Sequence, residues 1–182
     1  MKLFLLSVIF LNVLLAKQEI IQISRFEYKN QTFHGKIQGN FIQPLENDIY
    51  NKIIEQADMI ALSSVKILLP TKPQNVFAVG MNFASHFASQ STQPPPMFFK
   101  SPSSLILTGE DIHLSKDATN VHFEGELVII IGKRAKNIEE ADAHKHIFGV
   151  TVGNDLTERT WQGNDLQWMR AKASDGFGPI GS

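Results

Sequence analysis

Cysteine is absent from the 182 residues. Disulfides and thiolate metal sites are therefore excluded, and any bound metal must rest on oxygen or imidazole ligands. The absence does not fix the compartment. An excess of charge is missing as well, since 17 Lys and Arg against 18 Asp and Glu leave a formal net charge of −1. Nucleic acid and anionic membranes attract proteins through Lys and Arg gathered on one face, and no basic stripe interleaved with aromatics occurs here. Nucleic acid is not an expected partner. There is no internal repeat and no low-complexity tract. With 43% hydrophobic and 19% charged residues, the composition is that of a soluble globular protein. The length suits one ordinary domain, or a small domain with part of a larger one.

A long apolar run is also lacking. The one run present, Leu3 to Ala16, follows Met1-Lys2 and is broken by Ser7 and Asn12. A charged start followed by a short apolar stretch is the layout of a secretory signal, and it is too short to span a bilayer comfortably. Residues 1–16 are therefore read as a signal peptide, with no stable membrane span. Cleavage after Ala16 would put Leu14 where a small residue is preferred. A buried N-terminal strand or an uncleaved anchor is the alternative. If the signal is used, the protein is periplasmic or secreted; otherwise it is cytoplasmic.

Residues 17–72 read as a small β-rich module. Glu19 to Tyr28 and Gln31 to Ile37 have strand character, and Lys29-Asn30 suits a turn between them. A phase change near Ser24-Arg25 fits a bulge or a strand covered on both faces. Asn47-Asp48 can cap a short helix over Ile49 to Gln56. Ser63 to Leu69 returns to strand, and Thr71 to Gln74 marks the boundary. From residue 73 on, Val76 to Val79 is a short strand and Phe83 to Gln90 a helical turn or two. Pro94-Pro95-Pro96 is extended. Val121 to Ile131 is the clearest strand, Ile138 to His144 a short helix, and Phe148 to Leu156 another strand.

The strand over 121–131 carries the chemistry. Side chains alternate between faces, so His122, Glu124 and Glu126 share one face. Phe123, Gly125, Leu127, Ile129 and Ile131 form the other, which reads as a core face. Two like charges on one face repel, and a shared cation is the usual reason to keep them. Two solvated carboxylates on an edge strand are the other reading. Gly125 leaves room for a neighbour's close approach. Asp155, ending the strand over 148–156, offers a third oxygen ligand. Oxygen ligands alone suit Mg²⁺, Mn²⁺ or Ca²⁺ rather than Zn²⁺.

Six segments in order resemble the catalytic domain of the fumarylacetoacetate hydrolase family. They are Gly80-Met-Asn-Phe-Ala-Ser-His86, Pro96-Met-Phe-Phe-Lys100, Phe123-Glu-Gly-Glu-Leu127, Asn154-Asp155 with Arg159 and Gln162, Gln167-Trp-Met-Arg-Ala-Lys172, and Asp175-Gly-Phe-Gly-Pro-Ile-Gly181. The resemblance implies an α+β fold, mainly β, with a mixed β-roll. It implies that Glu124, Glu126 and Asp155 hold Mg²⁺, with Mn²⁺ or Ca²⁺ as substitutes. The cation would chelate a small 2-oxo or β-diketo acid and stabilise the enolate formed when a C–C or C–H bond breaks. Lys172 matches the family's active-site lysine, Gln162 a substrate-contacting glutamine, and Arg159 a residue holding the site. His86 matches a histidine that orients or deprotonates water. Trp161 and Trp168 read as packing residues. A full-length form is expected to be a homodimer.

Two departures from the pattern stand out. Hydrolytic and decarboxylating members often pair the histidine with a Glu three residues on, where this chain has Ser89. The family's catalytic domain also continues past the glycine matching Gly181, whereas this sequence stops at Ser182, as a fragment would. A half-built sheet would expose strand edges and apolar faces. The leading expectation is a metal-dependent hydrolase, isomerase or lyase of 2-oxo acids. A non-catalytic metal or oxo-acid binding protein, or an inactive truncated product, is the alternative.

Overall fold

The computed structural model describes residues 20–83 and 94–182. The signal segment, His86 and Ser89 lie outside the described residues, as does most of the turn expected over Phe83 to Gln90. Strands dominate. β1 (Ile23–Tyr28), β2 (Gln31–Gln38), β3 (Phe41–Pro44), β4 (Ile60–Ala61) and β5 (Lys66–Leu68) form one sheet in the order β4-β3-β2-β1-β5. Lys29 and Asn30 both have positive φ, 48° and 61°, as a two-residue turn matched to strand twist requires. β1 is central, so Ser24, Arg25 and Phe26 are all buried, which answers the phase change near Arg25.

The expected helix over Ile49 to Gln56 does not form. One turn closes at Asp48, whose carbonyl accepts from the N–H groups of Asn51 and Lys52. The chain then runs extended, with Leu45 bridged to Glu55 and the Gln56 N–H donating to Pro44 O. So short a helix is marginal by itself, and pairing back onto β3 satisfies the same backbone groups.

The second part holds β6 (Val76–Val79) paired with β7 (Met97–Lys100), and β9 (Val121–His122) paired with β12 (Thr157–Glu158). It also holds a mixed sheet built from β8 (Leu105–Leu107), β10 (Gly125–Ile131), β11 (Ile147–Asn154) and β13 (Gly178–Ile180). Its order is β10-β11-β13-β8, antiparallel except for the parallel pair β13 and β8. The helices α1 (Arg159–Asn164) and α2 (Met169–Ala173) are short, and residues 140–146 form a 3₁₀ segment where a helix was expected.

Two expectations for the strand over 121–131 are overturned. It breaks at Phe123-Glu124 into β9 and β10, which join different partners. The supposed core face is bare: Phe123 is 82%, Leu127 68% and Ile131 60% exposed. Periodicity separates two faces but does not say which one another layer covers. Here α2 reaches the Glu124 face through Lys172. Gly125 has no neighbour within 4 Å of where a Cβ would stand. The close approach occurs at Gly153 instead, where a Cβ would meet Val128 Cγ2 at 2.6 Å.

Candidate functional site

The break in the strand brings the site together. The Asp155 N–H donates to Glu124 O, and the Glu124 N–H donates to Asn154 Oδ1, so the end of β11 is laced to the entry of β10. Glu124 and Asp155 thereby present their carboxylates side by side. Lys172 Nζ lies 2.7 Å from Glu124 Oε2 and 2.7 Å from Asp155 Oδ2. The remaining oxygens are held from outside: Arg159 Nη2 lies 2.6 Å from Glu124 Oε1, and Lys100 Nζ 2.6 Å from Asp155 Oδ1. Three cations thus serve two carboxylates.

Each cation has its own support. Arg159 opens α1 and donates through Nη1 to Gln162 Oε1 at 2.9 Å, so Gln162 steadies the guanidinium. Glu158, fully buried, caps α1 by accepting from the Trp161 N–H at 2.6 Å and also accepts from the Asn120 N–H. That fixes where Arg159 starts. Lys100 also donates to the carbonyls of Lys172 and Phe177, tying β7 to α2 and to the turn before β13. Lys172 sits 5.1 Å from the centroid of the Phe98 ring, which Trp168 meets edge-on at 5.5 Å. Trp161 is buried under the Arg170 guanidinium, 4.6 Å away. Both tryptophans pack, as their sequence setting suggests.

Burial raises the Glu124 pKa, but the hydrogen bond and charge of Lys172, with Arg159 beside it, outweigh this and hold it below the usual carboxylate value. Burial pushes Lys100 below the ordinary lysine value despite the opposing charge of Asp155. A group buried this deeply stays charged only where it has partners, and Lys100 has three.

The structure therefore brings together Glu124, Asp155, Arg159, Gln162 and Lys172 of the residues singled out from sequence. Glu126 follows on β10, half-buried, and among the described residues no three His, Asp or Glu side chains are grouped to share an ion. His122 is exposed and bonds to Asn120 Oδ1 at 3.1 Å. The donors still suit a hard dication, because two carboxylates already converge on one cationic point, at Lys172 Nζ. A cleft of about 450 Å³ between Ile49–Ile53 and Lys145–Phe148 shares no residue with this site.

Sequence reasoning missed Lys100 and Glu158. A signal for Lys100 existed, since it ends an apolar strand in phase with Phe98 and so falls on that residue's side. Glu158 carried the weaker signal of an acid three residues before Trp161, at a helix start.

Comparison with known proteins defines the class first. Residues 75–182 match the fumarylacetoacetate (FAA) hydrolase C-terminal family, and the chain belongs to it. Among particular relatives, the chain is 42% identical over 123 residues to "Protein Rv2993c" of Mycobacterium tuberculosis, a match covering 66% of this chain and 46% of that one. It is 35% identical over 129 residues to the mitochondrial oxaloacetate tautomerase fahd2 of Xenopus laevis, covering 68% and 40%. In structure it is similar to 5-carboxymethyl-2-hydroxymuconate delta-isomerase from Mycobacterium smegmatis, with TM-score 0.80 and 32% identity over 89% of this chain and 65% of that one. The chain spans less than half the length of these two curated relatives.

Proposed function

We propose that the chain carries the catalytic centre of an enzyme acting on a small 2-oxo or β-diketo acid, through an enolate. The observation that carries this reading is the paired carboxylates of Glu124 and Asp155 converging on Lys172, with Arg159 and Gln162 alongside. A relative named as an oxaloacetate tautomerase and a structural neighbour named as an isomerase support it. Both names describe rearrangement of a small acid.

A divalent cation, Mg²⁺ in the first instance, would be held by Glu124, Glu126 and Asp155 and would supply positive charge opposite the enolate oxygen. The chain's own residues do the rest. The Lys172 ammonium, on the apolar floor made by Phe98, adds a second positive charge where a substrate's oxygen gains negative charge. Arg159 and Lys100 hold the outer oxygens of the two acids, so the inner oxygens keep a fixed aim. Gln162, against Arg159, is the neutral polar group for the substrate carboxylate. His86 is assigned the proton transfer with water. With Ser89 in place of the partnering acid, proton shift on the 2-oxo acid is favoured over hydrolysis. Residues 1–16 as a signal peptide, export of the mature protein and a homodimeric full-length form belong to the same proposal.

The test is turnover of oxaloacetate (enol–keto exchange and decarboxylation) and of an acylpyruvate, with added Mg²⁺. Activity on either, lost in Lys172→Met, is expected. If Mg²⁺ binds and neither substrate turns over, a binding protein replaces the enzyme.

A further inference from the structure

The four oxygens of Glu124 and Asp155 are not equivalent. The two outer ones are gripped by Arg159 and Lys100, residues on α1 and β7. The two inner ones share, among the described residues, the Lys172 ammonium, at 2.7 Å from each. A cation bonded to both inner oxygens would compete with this ammonium for them. Mg²⁺ would take carboxylate oxygens at about 2.1 Å, drawing on the same charge that now holds the ammonium. Like charges at such separations also repel strongly in a site shielded from water.

We propose that Lys172 is a built-in counter-cation of the Glu124–Asp155 pair, which a divalent cation must displace in order to bind. This rests on the reading of the site as a divalent-cation site. It assigns the two kinds of cation different jobs. Arg159 and Lys100 hold their oxygens whether or not an ion enters, whereas Lys172 exchanges with it. Before exchange, the lysine keeps two neighbouring carboxylates from repelling each other, so the site is folded and neutralised in advance. After exchange, its ammonium has lost both partners and is free to serve an anionic substrate oxygen. Cation entry and lysine availability become a single event. The approach runs past Glu124, whose side chain is 23% exposed, because Asp155 and Lys100 are buried.

Two measurements test this on the intact chain. The first is calorimetric titration of Mg²⁺ and Mn²⁺ into wild type and Lys172→Met. Removing the competing charge is expected to tighten binding roughly tenfold or more. The second needs no loss of the lysine: the ¹⁵N resonance of the Lys172 ammonium, assigned with Lys172→Arg, is followed in wild type as Mg²⁺ is added. It is expected to shift or broaden in step with the calorimetric saturation. Equal or weaker binding by a folded Lys172→Met overturns the exchange while leaving the cation site standing. So does a lysine resonance unmoved at saturation, which decides the matter if Lys172→Met does not fold. Absence of binding by wild type and variant alike overturns the cation reading itself, and the exchange with it.

Discussion

The two parts of the molecule bury charge to different extents. In the sheet over residues 23–68, apolar side chains are inside: Phe26, Ile42 and Leu45 are fully buried. In the part from Val76 on, Trp161, Phe177 and Ile180 are buried too, but Lys100, Asp155, Glu158 and Lys172 are buried beside them while Leu127, Ile129, Val150 and Val152 face outward. The first arrangement gains free energy by removing apolar surface from water, on the order of 25 cal/mol per Å². The second carries the desolvation cost of ions and leaves apolar area in water. Ions are kept inside at that cost only when each has partners, and every one of the four does. The difference separates a region organised for stability from one organised around a charged site.

The largest expected effects put this contrast on one scale. Phe26→Ala removes a fully buried ring stacked on Phe33 at 5.6 Å and should cost about 3–5 kcal/mol, from lost transfer energy and a cavity. Asp155→Ala should cost a similar ~3–5 kcal/mol for the opposite reason: Lys100 and Lys172 stay buried without the carboxylate they share. Urea unfolding without added divalent cation compares the two. A loss below about 1 kcal/mol for Asp155→Ala would mean that water reaches the cluster, and the contrast would fail.

Acid should separate the regions further. Burial and the neighbouring Arg25 lower the His34 pKa below 6.5. The unfolded chain then binds that proton more readily than the folded one, so stability falls as pH drops from 6.5 toward the lowered folded value. For Glu124 the folded value lies below 4.5, so its contribution is complete above 4.5 and disappears as pH falls through the folded value. Unfolding midpoints between pH 8 and 3 should show an upper step removed by His34→Gln and a lower one removed by Glu124→Gln. Either variant removing the other's step would break the assignment.

Those features visible in the sequence were the ones decided locally. The Lys29-Asn30 turn, the Val76–Val79 strand and the alternation carrying Glu126 all depend on neighbouring residues. The pairing of Glu124, Asp155 and Lys172 was reachable only through a resemblance of ordered motifs, because 31 and 17 residues separate Asp155 and Lys172 from their partners in the chain. Three features depended on non-local packing and stayed hidden. The segment 49–56 is drawn into pairing with β3, the strand over 121–131 divides between two partners, and Lys100 points into the ion cluster. A periodic pattern states that two faces differ; a layer from elsewhere decides which is inside.

The smallest expected effect concerns the bare face. Leu127 and Val152 are direct cross-strand partners of β10 and β11, 68% and 70% exposed. Threonine keeps the β-branched shape of Val152 and introduces one at Leu127, both suited to a strand, and removes apolar surface that is already in water. Each substitution should change the unfolding free energy by no more than about 0.5 kcal/mol. Self-association should respond far more, because the patch also takes in Phe123, Ile129, Ile131 and Val150, and patches of this kind mediate association. Sedimentation velocity on wild type and the Leu127→Thr, Val152→Thr pair should show a shift toward the monomer, with the urea midpoint unchanged. A stability loss above about 1 kcal/mol per site would mean that the face is covered in solution, and the difference between the two regions would then be smaller than the exposed areas imply.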